Sequence, residues 1–124
     1  MKNYDSYPAL VQQVTEVVGD SGLDVLINNA GVYHKVDISN GGADLMLDNF
    51  EINAVTPLLF TRALLPLLKQ SAGAKRRTVV TNITSKMGSI EDNTTGNHYA
   101  YRASKVITNL ITCQTNSLIS TNIF

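Results

Sequence analysis

The sequence predicts an α/β fold built on parallel strands, and three observations predict it. Two short runs, Leu-Asp-Val-Leu-Ile-Asn at 23–28 and Thr-Val-Val-Thr-Asn-Ile-Thr at 78–84, are apolar or β-branched and of strand length. Segments with helical spacing precede, separate and follow them, so the order is helix, strand, helix, strand, helix. The segment between the runs is long enough to serve as the crossover that two parallel strands need.

The first helix is capped by Asp5 or Ser6 and tolerates Pro8 in its first turn. Leu10, Val11, Val14, Val17 and Val18 then recur at helical spacing, and Gly19 and Gly22 bracket its end. The run at 23–28 reads as a buried parallel strand. Residues 32–43 form a connection that ends in the turn-like Ser39-Asn40-Gly41-Gly42. From 45 to 70 the apolar pattern is long, but Pro57 and Pro66 interrupt it, which predicts a kinked helix or two helical pieces. After the second strand, residues 85–97 are polar and turn-rich, and a last helix begins near Tyr99 and runs towards Ile119.

Composition suits one globular unit over 1–124. Hydrophobic residues make up 44% and charged residues 16%, and ten basic side chains balance ten acidic ones. That balance excludes a disordered tail. The one compact basic run, Lys75-Arg76-Arg77, reads as a solvated loop before a strand, so a nucleic-acid partner is not expected. Cys113 has no second cysteine to pair with, and beside Leu110 and Ile111 it reads as a packed thiol in a reducing compartment. The start, Met-Lys-Asn-Tyr-Asp, lacks the order of a secretory signal, and no apolar run in the sequence approaches a membrane span. The expected location is cytoplasmic, with no membrane partner.

The chemistry concentrates in Tyr101-Arg102-Ala103-Ser104-Lys105. Residues four apart share a helix face, so Lys105 can stand beside Tyr101 and favour its ionised form, which makes the phenol a usable proton donor or acceptor. Tyr99 has no such lysine. Asn28, Ser85 and Tyr101 all fall at or beyond the carboxyl ends of the two strands, the edge where open α/β sheets place ligands. Ser89 competes with Ser85, which is preferred because it follows the strand directly. Read from the residues alone, Asn53 is a polar residue on the exposed side of its helix. His34 and His98 have no partners at metal-ligand spacing, so no metal is expected. No glycine-rich phosphate loop precedes these motifs.

As a set, Gly22-Leu23-Asp24-Val25-Leu26-Ile27-Asn28-Asn29-Ala30-Gly31-Val32, Ile52-Asn53-Ala54-Val55, Asn82-Ile83-Thr84-Ser85 and Tyr99-Ala100-Tyr101-Arg102-Ala103-Ser104-Lys105 resemble the short-chain dehydrogenase/reductase family. Pro57, Leu64-Leu65-Pro66-Leu67-Leu68-Lys69 and Gly88-Ser89-Ile90 are most similar to its C-factor-like and Sniffer-like carbonyl reductases. The resemblance runs from about Ser6 to Asn109 and is to the family's central part. It implies a partial Rossmann-type fold, a doubly wound parallel sheet in three α/β/α layers, with the N-terminal βαβ unit and the C-terminal strands missing. It implies reduction of a carbonyl on a small aldehyde, ketone or quinone with NADP(H), or with NAD(H). Tyr101 would be the general acid, Lys105 would lower its pKa and bond the nicotinamide ribose, Ser85 would polarise the substrate oxygen, and Asn53 would hold a water in the proton relay. Asn28, Ala30 and Gly31 would contact the cofactor, while Asn29 would tie strands together through its amide. The family's two long helices, here near 45–70 and 99–119, commonly build a subunit interface. The resemblance therefore also admits a homo-oligomer, or a truncated, non-catalytic chain that associates with full-length subunits.

Overall fold

The structure is a computed structural model that describes the backbone of residues 2–119 and side chains as far as Thr115. The outermost residues of the unit expected over 1–124 lie outside the described residues. The order is α1 (Tyr7–Val18), β1 (Val25–Asn28), α2 (Ala43–Phe50), a π-helical turn (Glu51–Val55), α3 (Thr56–Gly73), β2 (Val79–Asn82), a 3-10 turn (Lys86–Gly88) and α4 (Tyr99–Ile119). Strands β1 and β2 pair in parallel, with Val25 opposite Val79 and Asn28 opposite Asn82.

Alternation along the strands explains which face is covered. Leu26 points into a core with Leu64, Leu67 and Leu68 of α3, against which Val11, Val14 and Val18 of α1 and Val80 of β2 pack. One pleat on, Asn28 donates to Thr61 of α3 (3.1 Å) and to Asn82 of β2 (2.8 Å), and Asn82 donates to Thr112 of α4 (2.9 Å). Helices α1, α3 and α4 therefore cover the same face of the sheet. The opposite face is bare among the described residues: Val25 is 51% exposed and Ile27 60%. The sheet and one helical layer of the expected three are thus present, which is what a partial Rossmann-type fold looks like. A full doubly wound sheet covers both faces of such strands.

The loop from α1 to β1 lies directly on α3. Gly22 has φ +72, and a Cβ there would stand 2.6 Å from Leu67 O and from Ser71 N, so only glycine fits. Leu23 N then donates to Leu67 O at 3.0 Å. The end of α3 is fastened by Ser71, whose hydroxyl donates to Asp24, a carboxylate also paired with Arg76. Lys75, Arg76 and Arg77 are otherwise exposed, as a solvated loop before a strand should be.

The two helical pieces expected from the prolines are α2 and α3, joined through the π turn ahead of Pro57, while Pro66 lies inside α3. Helix runs without interruption from Ala43 to Gly73, and its irregularity is the π turn ahead of Pro57. Pro57 sits in the first turn of α3 and has no N–H for the carbonyl of Asn53, which accepts from Thr108 Oγ1 instead (2.9 Å). Pro66 lies on the exposed side of α3, as does Arg62, whose carbonyl can take water. By length and composition this 31-residue helix could cross a membrane, which the sequence reading did not foresee. Its buried side nevertheless carries Asn49, Asn53, Thr56, Thr61 and Ser71, polar groups that pack against the rest of the chain. Cys113 is exposed rather than packed. The buried stripe of α4 runs through Ser104, Thr108 and Thr115, and Cys113 projects from another side.

Candidate active site

The two strands end side by side, and the segments leaving them meet the first turns of α4. Lys105 is buried on α4, where its ammonium donates to the carbonyl of Ile83, the residue after β2, at 2.8 Å. The same ammonium stands over the Tyr101 ring, 5.6 Å from its centroid, so the one-turn spacing brings the two groups together. Burial pushes the Lys105 pKa down, because a desolvated ammonium is disfavoured. Directly after β1, Gly31 leaves the space in front of this lysine open. A Cβ on Gly31 would lie 3.0 Å from Asn53 Oδ1 and 3.8 Å from Lys105 Nζ.

Asn53 is not an exposed polar residue. It is 1% exposed, and its amide reads the main chain of Val32 in both directions: Oδ1 accepts from Val32 N (2.8 Å) and Nδ2 donates to Val32 O (2.8 Å). Nδ2 also donates to Ser104 Oγ at 2.9 Å. The π turn places this amide between the loop after β1 and the catalytic-looking face of α4. Single π turns inserted in α-helices are frequent at functional sites.

Ser85 stands three residues beyond β2, and its Oγ accepts from Met87 N (3.1 Å), capping the 3-10 turn. Its own proton remains available to a further acceptor. Ser89 Oγ likewise accepts a main-chain N–H, from Asp92 in the following turn (3.1 Å). The strand tie expected of Asn29 is made by the Asn28 side chain, whereas Asn29 lies exposed in the loop. The carbonyl of Asn28 is taken as well, by Ile83 N at 2.9 Å. Asn28, Asn29 and Ala30 nevertheless line a cleft of about 330 Å³ whose other walls include Tyr7 and Leu10 of α1 and Pro57 and Phe60 of α3. The segment 28–31 thus connects an apolar cleft at one end with the Lys105 ammonium at the other.

Several residues here escaped the sequence reading. Ser104 and Thr108 bond Asn53, and Thr61 and Thr112 bond the strand-end asparagines. A signal existed on α4, where Ser104, Thr108 and Thr112 recur every fourth residue and mark a polar stripe on a helix that is otherwise read by its apolar positions. Nothing in the sequence joins Tyr33 to His98, whose side chains meet at 2.6 Å across 65 positions.

Known proteins match both the sequence and the fold. The sequence model of the family described as short chain dehydrogenase matches residues 1–123. C-signal of Myxococcus xanthus is 49% identical over 90 residues, which span 71% of this chain and 51% of that protein. Among solved structures, the carbonyl reductase Sniffer of D. melanogaster superposes with a TM-score of 0.85 at 39% identity, covering 94% of this chain and 49% of that one. An NADPH-bound carbonyl reductase from chicken fatty liver superposes with a TM-score of 0.88 at 34% identity, covering 98% and 51%. The chain spans about half the length of these relatives.

Proposed function

Because the chain belongs to the short chain dehydrogenase family, we propose that it carries the proton-transfer and cofactor-facing half of an NADP(H)-dependent carbonyl reductase, with NAD(H) as the alternative cofactor. The observation that carries this reading is the convergence of Tyr101, Lys105 and Gly31 at the carboxyl ends of β1 and β2. In open α/β sheets that edge is where ligands bind.

The residues suit an extended dinucleotide. The cleft beside Asn28, Asn29 and Ala30 is walled by Tyr7, Pro57 and Phe60, which would take a flat base. Gly31 keeps side-chain bulk away from Lys105, whose ammonium would bond a ribose hydroxyl. When bound, the cofactor supplies hydride. The protein supplies the proton: Tyr101 would donate it to the substrate oxygen as negative charge develops there, and accept it in the reverse direction. Lys105 would place its positive charge beside the ring on the same helix face. Ser85 would hold the substrate oxygen with its free O–H. Asn53 contributes by holding the loop at Val32 against α4, and any water it retains for a proton relay would sit on this frame. The substrate is a small aldehyde, ketone or quinone, and the compartment is the cytoplasm.

The test is NADPH oxidation with a small carbonyl panel. Tyr101→Phe should lower kcat by at least about a hundredfold, the lower end of the range for removing a general acid. Unchanged turnover in that variant removes the assignment. A second reading is supported by apolar side chains that face outward on the two long helices, Leu58 at 40% and Leu110 at 57% exposure. On that reading the chain docks on a second copy or on a full-length family member through α3 and α4. Light scattering at micromolar concentration, alone and with a longer relative, separates the two: a monomer that ignores the relative excludes it.

A further inference from the structure

A second tyrosine stands against the Tyr101 ring. Tyr33 lies in the loop between β1 and α2 and is 49% exposed. Its ring meets that of Tyr101 in a T-shaped contact, with centroids 4.9 Å apart and planes at 81°. The Tyr33 hydroxyl is 2.6 Å from His98 Nδ1, and the two rings lie 5.7 Å apart. His98 precedes Tyr101 by three residues and forms the entry to α4.

That entry has an unusual backbone. Gly96, Asn97 and His98 have φ of 66, 57 and 57, three successive left-handed residues of which only the first is glycine. Asparagine and histidine are among the side chains that enter this region most readily, and here contacts with the loop after β1 hold the histidine in it. One determinant is Tyr99 N, which donates to the carbonyl of the buried Val36 at 2.9 Å. The other is the Tyr33 hydroxyl. The loop after β1 is thus fastened to the head of α4 twice, once through main chain and once through this side-chain pair.

We propose that Tyr33, tethered by His98, is a positioning residue that sets the orientation of the Tyr101 ring, and that the left-handed entry to α4 is held so that the imidazole reaches it. The proposal rests on Tyr101 being the proton donor. The ring has the Lys105 ammonium as one neighbour, at 5.6 Å, and Tyr33 as another. Without Tyr33 it can swing towards solvent, and proton transfer requires heavy atoms within about 3.2 Å of each other. Tyr33 has little packing of its own to hold it, so the hydroxyl tether to His98 does that work.

Four variants of the full chain test this: Tyr33→Phe, His98→Ala, the two combined, and Tyr33→Leu. The first two cut the same tether from opposite ends. Each should lower kcat about tenfold with KM unchanged, and the double variant should be no worse than either alone. Tyr33→Leu removes the wall itself and should cost more. A second readout needs no turnover: three-bond couplings that report χ1 of Tyr101 should show one rotamer in the parent and an average in Tyr33→Leu. Parent-like kcat in both tether variants overturns the proposal, as does a loss that falls on KM alone, which makes Tyr33 a substrate contact. Unaltered Tyr101 couplings in Tyr33→Leu overturn it too. If Tyr101→Phe stays fully active, the functional assignment fails, and the couplings still decide whether Tyr33 orders the ring.

Discussion

Replacing Asn53 by alanine removes one side chain and opens three joints. Val32 N loses the Oδ1 acceptor, Val32 O loses the Nδ2 donor, and Ser104 Oγ loses one of its partners, all in a site 1% exposed. A buried main-chain group left unpaired costs about 1–3 kcal/mol. Val32 is half-buried, so water reaches part of it and the lower half of that range applies to each group. Ser104 Oγ keeps its bond to Tyr101 O (2.8 Å), so its loss adds about 0.5–1 kcal/mol. The sum, about 2.5–5 kcal/mol, is a large share of the ~5–15 kcal/mol that holds such a chain. It corresponds to a fall in Tm of about 10–20 °C.

Asn53→Asp sharpens the test. The carboxylate keeps the shape and the bond from Val32 N but turns an acceptor-only anion towards Val32 O and Ser104 Oγ. Burial raises the pKa of such an acid above its unfolded value, so the penalty is absent below about pH 4 and grows as pH rises. At pH 7 the variant should be no more stable than Asn53→Ala, and it should recover towards pH 4. Urea unfolding followed by circular dichroism measures both. Stability equal to the parent for Asn53→Asp at pH 7, or a loss under about 1 kcal/mol for Asn53→Ala, refutes the reasoning.

Two further outcomes follow from the charged groups. Burial lowers the Lys105 pKa, so its charged form carries a penalty at neutral pH that is relieved only as pH rises through the folded value. Lys105→Met should therefore leave Tm unchanged or higher while abolishing turnover; a fall of more than about 5 °C in a melting scan would count against it. Asp24 is held below its ordinary pKa by Ser71 first and Arg76 second, Asp48 by Lys2 and then His34, and Glu51 by Lys2 and then Tyr4. Depressed carboxylates contribute stability above their unfolded values and lose it as pH falls through the folded ones, so Tm should be level from neutral pH to about 5 and drop below about 4. Asp24→Asn should flatten that acid limb, and an identical limb would show that the carboxylate at the start of β1 contributes nothing.

Much of this was legible in the chain itself because it is local. The strand runs, the helices that flank them and the one-turn spacing of Tyr101 and Lys105 depend on side-chain type and on periods of about 2 and 3.6, which neighbouring residues carry. The short-chain dehydrogenase resemblance rested on motifs of the same kind. Pro57 marked the boundary between α2 and α3, although the π turn that forms it had no sequence signal, whereas Pro66 lies inside α3. Cys113 was misjudged because Leu110, three residues earlier on the same side of α4, is itself exposed, so an apolar neighbour did not mean burial.

By itself the sequence determined the α/β order, the parallel pairing and the one-turn spacing that puts Tyr101 and Lys105 on one helix face. Only the tertiary structure decided how they are held: that Asn28 rather than Asn29 joins the strands, that Asn53 is buried against Val32 and Ser104, and that Tyr33 and His98 meet beside Tyr101. Each of these contacts closes over 21 positions or more in the chain. Which buried amide finds which carbonyl depends on where α3 and α4 dock on one face of the sheet, and that is settled by packing.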